Sequence, residues 1–293
     1  MGISGRDEHD VIVPEIIYAA AVPERDLGGR RLSEKPRFWL PVGLFVATCV
    51  STWAVGDWAY AIPLMTILVC HEGGHFLQAK RYNVPASLPY FIPMPFTPIG
   101  TFGAVIAMRG HMGDRRSLFD IGITGPLAGL VPTLIFCVIG LYLSRVDVVA
   151  RQSSLMLGEP LVFKAIGQFI FGTLPEGRDI ILHPMAFAAW VGLLITSLNL
   201  LPIGQLDGGH ILYALMRDKA GRIATLLLGA AVFAVVFFGY YWWTLMLILL
   251  MFMGPQHPPT ANDDMELGTM RTILGWATLA FIVIVFTPTP LAM

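Results

Sequence analysis

The stretch ILVCHEGGHFLQAKRYNV, residues 67–84, sets two histidines, a glutamate and two glycines inside an apolar run. His71 and His75 stand at i and i+4, so on a helix they project from one face at a spacing two imidazoles use to grip one zinc ion. Glu72 lies one step round from that face and can serve a water on the metal as general base without ligating, the arrangement of H-E-x-x-H metallohydrolases. The five-residue pattern also arises by chance. Three polar groups inside an apolar helix, one of them an acid, are costly, however, and mark function by default. Gly73 and Gly74 each cost about 1 kcal/mol relative to alanine in a helix interior, which points to close approach of a neighbouring helix or a substrate. Cys70 reads as packing.

The rest of the chain supplies the membrane. Of its 293 residues 55% are hydrophobic and 13% charged, with mean hydropathy +0.67, far from the balance of a soluble domain. The expectation is an all-α polytopic integral membrane protein. Runs near the required length of about 20 residues fall at 38–56, 59–79, 119–143, 183–203, 223–239, 241–253 and 272–287, so about six or seven transmembrane helices are expected. Residues 1–37 form a polar tail without the layout of a signal peptide, expected to stay attached and to be partly disordered. Residues 38–293 form the transmembrane domain, with a core at about 59–216 and additional helices over 223–287. With net charge −1 nothing points to nucleic acid as a partner, and no basic amphipathic run suggests binding at the membrane surface alone. Three dispersed cysteines suit neither a disulfide framework nor a cysteine zinc site.

With the N-terminus in the cytoplasm, fifteen of the 19 Lys and Arg residues fall on inside loops. The second span then ends at Lys80 and Arg81, with His71 about 13 Å and His75 about 7 Å from Lys80 at 1.5 Å per residue. The motif lies within the membrane, towards the cytoplasmic side of a multi-pass protein (the cell membrane, for a prokaryote).

A catalytic zinc takes three protein ligands and keeps a position open for water. Asp57, Asp147, Glu159, Glu176, Asp179 and His183 fall on the outside, and His111, Asp114 and Asp120 at the inner boundary of the third span. There remains SLNLLPIGQLDGGHI, 197–211, at the inner end of the fourth span. Pro202 breaks the helix there and Gly204, Gly208 and Gly209 keep the chain irregular. At this depth such backbone is tolerated only where it lines a cavity or is covered by protein. Asp207 is the expected third ligand. An N-cap on the following helix is its structural alternative, and His210 its rival as ligand. Asn199 either bonds a neighbouring helix or is aimed at the site, to hold a substrate carbonyl or a developing oxyanion.

Between the second and third spans Pro85, Pro89, Pro93, Pro95 and Pro98 exclude a helix, and GTFGAVIAM, 100–108, reads as an apolar strand. Beside an embedded site it suggests a re-entrant hairpin or loop, with Gly103, Ala104, Val105 and Ile106 pairing with an unwound substrate segment. A loop packed under the helices is the alternative. In GITGPLAGL, 122–130, Gly122, Gly125, Ala128 and Gly129 form a small face onto which Gly73 and Gly74 are expected to pack. The loop 144–182 is too short for an added domain, and GPQHPPTANDDMELG, 254–268, reads as a polar cytoplasmic loop with His257 solvated.

HEGGH, FDIGITGPLAG (119–129) and NLLPIGQLDGGH (199–210), in this order on three successive spans, resemble the site-2 protease family of intramembrane zinc metalloproteases. LPYFIPMPFTPIGTFGAVIAMRG (88–110) is similar to its plastid, cyanobacterial and archaeal-like branch. The resemblance covers about residues 60–216, without a recognisable PDZ or CBS domain. It implies His71, His75 and Asp207 as ligands of one Zn2+ per chain and Glu72 as catalytic base. It also implies that the substrate is another protein's transmembrane segment, met in the lipid bilayer and cut after an earlier cleavage of its ectodomain. The rival from another class is a transporter whose His and Asp bind an ion in transit; a non-ligating acid such as Glu72 has no task there.

Overall fold

The computed structural model describes residues 38–108, 113–148, 156–175 and 177–292; the expected tail 1–37, His111 and Glu176 lie outside them. In chain order the elements are α1 (Trp39–Arg81), β1 (Tyr90–Met94), β2 (Gly100–Val105), α2 (Arg115–Tyr142), β3 (Arg145–Val148), β4 (Met156–Leu157), α3 (Leu161–Phe171), β5 (Arg178–Ile181), α4 (Pro184–Asn199), α5 (Asp207–Met216), α6 (Asp218–Phe238), α7 (Thr244–Met253), α8 (Thr269–Val285) and β6 (Leu291–Ala292). The chain is mostly helical, as apolar runs must be where no water pairs with the backbone.

α1 has 43 residues. Straight, it would measure about 65 Å, twice the roughly 30 Å of a bilayer's hydrocarbon core. It is interrupted at Gly56 (φ −149°, ψ 25°) and Asp57 (φ 60°, ψ −171°), the junction expected between the first two spans. Asp57 adopts a left-handed φ, and Trp53 Nε1 donates to its Oδ1 at 2.9 Å. α2 starts four residues before its apolar run, because Asp114 and Ser117 close a capping box: Ser117 N–H donates to Asp114 Oδ1 at 2.7 Å and Asp114 N–H to Ser117 Oγ at 3.0 Å. α4 begins at Pro184 after His183, whose ring accepts from Met185 N–H at 3.2 Å, and ends before Pro202.

β1 and β2 form an antiparallel hairpin with Phe91 opposite Ala104 and Met94 opposite Gly100, irregular between Phe91 and Pro93. Its tip is tied to both sides of the break in α1: Ser51 Oγ donates to Gly100 O and Tyr60 OH to Ile99 O, each at 2.6 Å. Gly100, at φ +80°, lies against Ser51 O and Thr52 Cα, where a Cβ would stand 3.1 Å from each. Two further ladders depart from the all-α expectation, β3 with β5 and β4 with β6. With α3 they give local structure to the loop expected at 144–182: β3 and β5 pair within it, and β4 pairs with the chain at Leu291–Ala292.

α1, α2 and α4 pack mutually around Tyr60, Leu64, Leu68, Cys137, Leu141, Trp190 and Leu193. α1, α2 and α6 are long and apolar enough to cross a membrane, by length and composition, and shorter apolar helices accompany them. Only 11% of the most apolar window of α6 is buried by the rest of the chain. Its outward residues Leu226, Val236 and Phe237 need an apolar solvent.

Candidate metal centre

α1 carries His71 and His75 one turn apart on the side facing α2, within reach of Asp207 at the start of α5. α2 receives them through its glycines. A Cβ on Gly125 would overlap the His75 ring, closest to its Nε2, and one on Gly129 would stand 3.0 Å from His71 Cβ. The close approach predicted for this small face therefore seats the two imidazoles. Gly74 shares it, since its Cβ would be 2.5 Å from Thr124 O. Gly73 corrects the expectation, because nothing lies within 4 Å of the place its Cβ would take.

Asp207 enters from the bend after α4. The chain turns at Leu200–Leu206, and α5 folds back so tightly that a Cβ on Gly208 would overlap Leu200 O and one on Gly209 would overlap Gly204 O. These two glycines are helical and serve close approach, not irregularity. Asp207 occupies the first turn of α5 and Leu206 the N-cap position, without a side-chain cap bond. Capping does not use the Asp207 carboxylate, which faces the histidines.

His71 Nε2 and Asp207 Oδ2 are 3.2 Å apart, His75 Nε2 and Asp207 Oδ1 3.2 Å, and the two Nε2 atoms 3.3 Å. Ligand atoms on a tetrahedral zinc, at bonds of about 2.0–2.1 Å, lie about 3.3–3.4 Å from one another. The two Asp207 contacts run to different oxygens of its carboxylate; with one ligand atom from each residue the three lie within 4.8 Å of one another, and two imidazoles with a carboxylate are a donor set that suits zinc. His75 Nδ1 lies 2.7 Å from Ile121 O, a carbonyl that can only accept, so Nδ1 carries the proton and Nε2 is the ring nitrogen turned to His71 and Asp207. Among the described residues this is the one group of three His, Cys, Asp or Glu side chains so converged.

Glu72 is 4% exposed, beside the cluster yet outside it. The Asn199 amide nitrogen lies 3.2 Å from His71 Nε2, which places it at the rim of the same point. Of the proposed pairing strand, Gly103 is buried, Ala104 and Ile106 half-buried and Val105 exposed. A Cβ on Gly103 would be 3.8 Å from Ile195 of α4, one turn before Asn199.

His210 belongs elsewhere. Its Nδ1 lies 2.7 Å from His257 Nε2, and His257 stacks on Tyr213 with ring centroids 4.6 Å apart. His257 is thus half-buried in a docked loop, against the expectation of a solvated side chain. That loop is fastened at several points. Tyr213 OH donates to Asp263 Oδ2 at 2.7 Å, Gly204 N–H to Pro255 O at 3.2 Å and Arg217 to Asp264 Oδ1 at 2.5 Å. Burial pushes the His257 imidazole below its ordinary range against the pull of Pro258 O and Asp263. Burial pushes Asp263 the other way, yet hydrogen bonds from Thr260 and Tyr213 outweigh it and hold that carboxyl below the usual carboxylate range. Sequence reasoning also missed Arg115, which donates to Ala214 O and, at 3.2 Å, to Leu215 O, binding the end of α5 to the start of α2. A cation four residues before the apolar run was its sole signal.

The family model described as Peptidase family M50 matches residues 59–242. The chain is 31% identical over 242 residues to a protein of Arabidopsis thaliana named probable zinc metalloprotease EGY1, chloroplastic, covering 78% of this chain and 43% of that protein. Its similarity to the EGY1 of Oryza sativa subsp. japonica is 32% over 235 residues, 77% of this chain and 38% of that one. A third relative, probable zinc metalloprotease EGY2, chloroplastic, of Arabidopsis thaliana, is 35% identical over 176 residues, 59% of this chain and 30% of its own. The chain thus spans less than half the length of these relatives. No solved structure matches.

Proposed function

Because the chain belongs to peptidase family M50, the site-2 protease family, we propose that it is an intramembrane zinc metalloendopeptidase that hydrolyses peptide bonds within or next to transmembrane segments of other membrane proteins. One observation carries this: His71, His75 and Asp207 bring one ligand atom each to within 4.8 Å of one another, with a buried acid, Glu72, beside them and outside that set. The relatives' names support zinc and proteolysis. The six or seven spans, a cytoplasmic N-terminus and a catalytic core at 59–216 belong to the same proposal, supported by the apolar helices and the distribution of Lys and Arg.

Zinc held by the three side chains supplies a Lewis acid that makes water acidic enough to lose a proton near neutral pH. Glu72 takes that proton as the water oxygen bonds to the substrate's carbonyl carbon, and returns it to the amide nitrogen as the C–N bond breaks. Asn199 donates its amide N–H to the carbonyl oxygen where negative charge develops. β2 holds the substrate. A peptide bond inside a helix has its carbonyl occupied, so the segment unwinds and pairs with Gly103–Ile106, of which Gly103 lies beside Ile195, one turn before Asn199 on α4.

The test uses the purified chain in liposomes with a single-span model substrate, the cut being mapped by mass spectrometry. The cut is expected inside or at the edge of the span. Val105→Pro disturbs β2, where Val105 pairs with Tyr90 of β1, and so the strand whose other edge would receive the substrate; it is expected to lower cleavage at least about tenfold with zinc still bound. Unchanged cleavage by the folded variant excludes strand pairing, and no cleavage by the parent chain excludes the proposed activity.

A further inference from the structure

α8 brings a cation to the back of the metal centre. Arg271, in its first turn, donates from Nε to Asp120 Oδ1 and from Nη2 to Asp120 Oδ2, each at 2.8 Å. Tyr82, the C-cap of α1, donates to the same Oδ2 at 2.5 Å. Asp120 immediately precedes Ile121, whose carbonyl accepts the Nδ1–H of His75 at 2.7 Å. A cation on the C-terminal helix, a carboxylate and one peptide unit therefore lead directly to a ligand's ring. The bidentate fork fixes orientation as well as distance, which a point charge does not.

The approach of α8 is built for this contact. Gly275, one turn after Arg271, lies where a Cβ would be 2.8 Å from the Phe119 ring, so α8 rests on the turn of α2 that holds Asp120. Arg271 also lies beyond residues 59–242, the part that the family match covers.

We propose that Arg271 is a positioning residue for the metal centre: through Asp120 and Tyr82 it fixes the turn of α2 whose Ile121 carbonyl orients His75. The inference rests on His71, His75 and Asp207 holding zinc. Loss of a partner that orients a metal-bound histidine costs about 10–100-fold in metal affinity. Arg271 acts one peptide unit further out, and Arg271→Ala is expected near the lower end, about tenfold.

Two quantities are measured on the full chain in detergent: zinc affinity by competition with a chromophoric chelator, and the thermal unfolding of the zinc-free protein. Arg271→Ala is expected to bind zinc about tenfold more weakly with the unfolding of the zinc-free protein little changed, and Arg271→Lys, which keeps charge but not the fork, to fall between it and the parent. A residue that only holds α8 in place would shift the unfolding and leave the zinc affinity of the folded protein as it was. If Arg271→Ala does not fold, Arg271→Gln decides, weaker zinc binding supporting the proposal and equal binding overturning it. A parent chain that binds no zinc overturns the metal-site reading itself; a parent that binds it no better than Arg271→Ala overturns the positioning role alone.

Discussion

Glu72→Gln is expected to hold one zinc ion per chain as tightly as the parent and to cleave a single-span substrate about 10²–10⁴-fold more slowly, the span that general-base catalysis covers. The amide keeps the shape of the carboxylate, so the packing of a side chain only 4% exposed is preserved. What it loses is the ability to accept a proton from water. Metal content and initial rate, measured on the same preparation, separate the outcomes. Zinc lost together with activity would make Glu72 a ligand, and full activity in the variant would remove the base from the mechanism.

Asp207→Ala acts on the metal itself. It leaves two imidazoles where zinc takes three protein ligands, and zinc binding is expected to weaken by more than about 100-fold, beyond the cost of losing an outer-shell partner. His210→Ala serves as the comparison. His210 points its Nδ1 at His257, 2.7 Å away, and its loss is expected to leave zinc bound. The reverse pattern, zinc kept without Asp207 and lost without His210, would exchange their roles. Equilibrium dialysis of the two variants beside the parent gives the answer.

The grouping of these residues was legible because it depends on two general quantities, the 3.6-residue period that puts His71 and His75 on one face and the cost of an acid at membrane depth. The break at Gly56 and Asp57 was legible for a similar reason, since a bilayer limits the length of one span. Asp207 was harder. A ligand and an N-cap both stand at a helix start, and only the position of Leu206 at the cap and the direction of the carboxylate tell them apart. Gly73 and Gly74 look alike in sequence yet differ in their neighbours, because 100° of rotation turns one towards Thr124 and the other into open space.

Long-range polar contacts were not legible at all. His257 sits in a loop whose composition reads as solvated, and its partner lies 47 residues away. Asp120 and Arg271 are separated by 151 residues, and each by itself is an ordinary charge at the edge of an apolar run. The same holds for Arg115, whose acceptors are carbonyls at the far end of α5 and carry no sequence signal. Periodicity places residues on faces. Which faces then meet is fixed by packing, here through the glycines of α2 and the glycine pair after Asp207.

The central claim is that one zinc is held by two imidazoles and one carboxylate. X-ray absorption at the zinc edge, on the purified chain loaded with one equivalent of metal, tests it most directly. The account predicts a shell of nitrogen and oxygen at about 2.0–2.2 Å with the multiple-scattering signature of two imidazoles and no sulfur. A sulfur shell near 2.3 Å, which would bring in a cysteine such as Cys70, or a spectrum without imidazole, would contradict it.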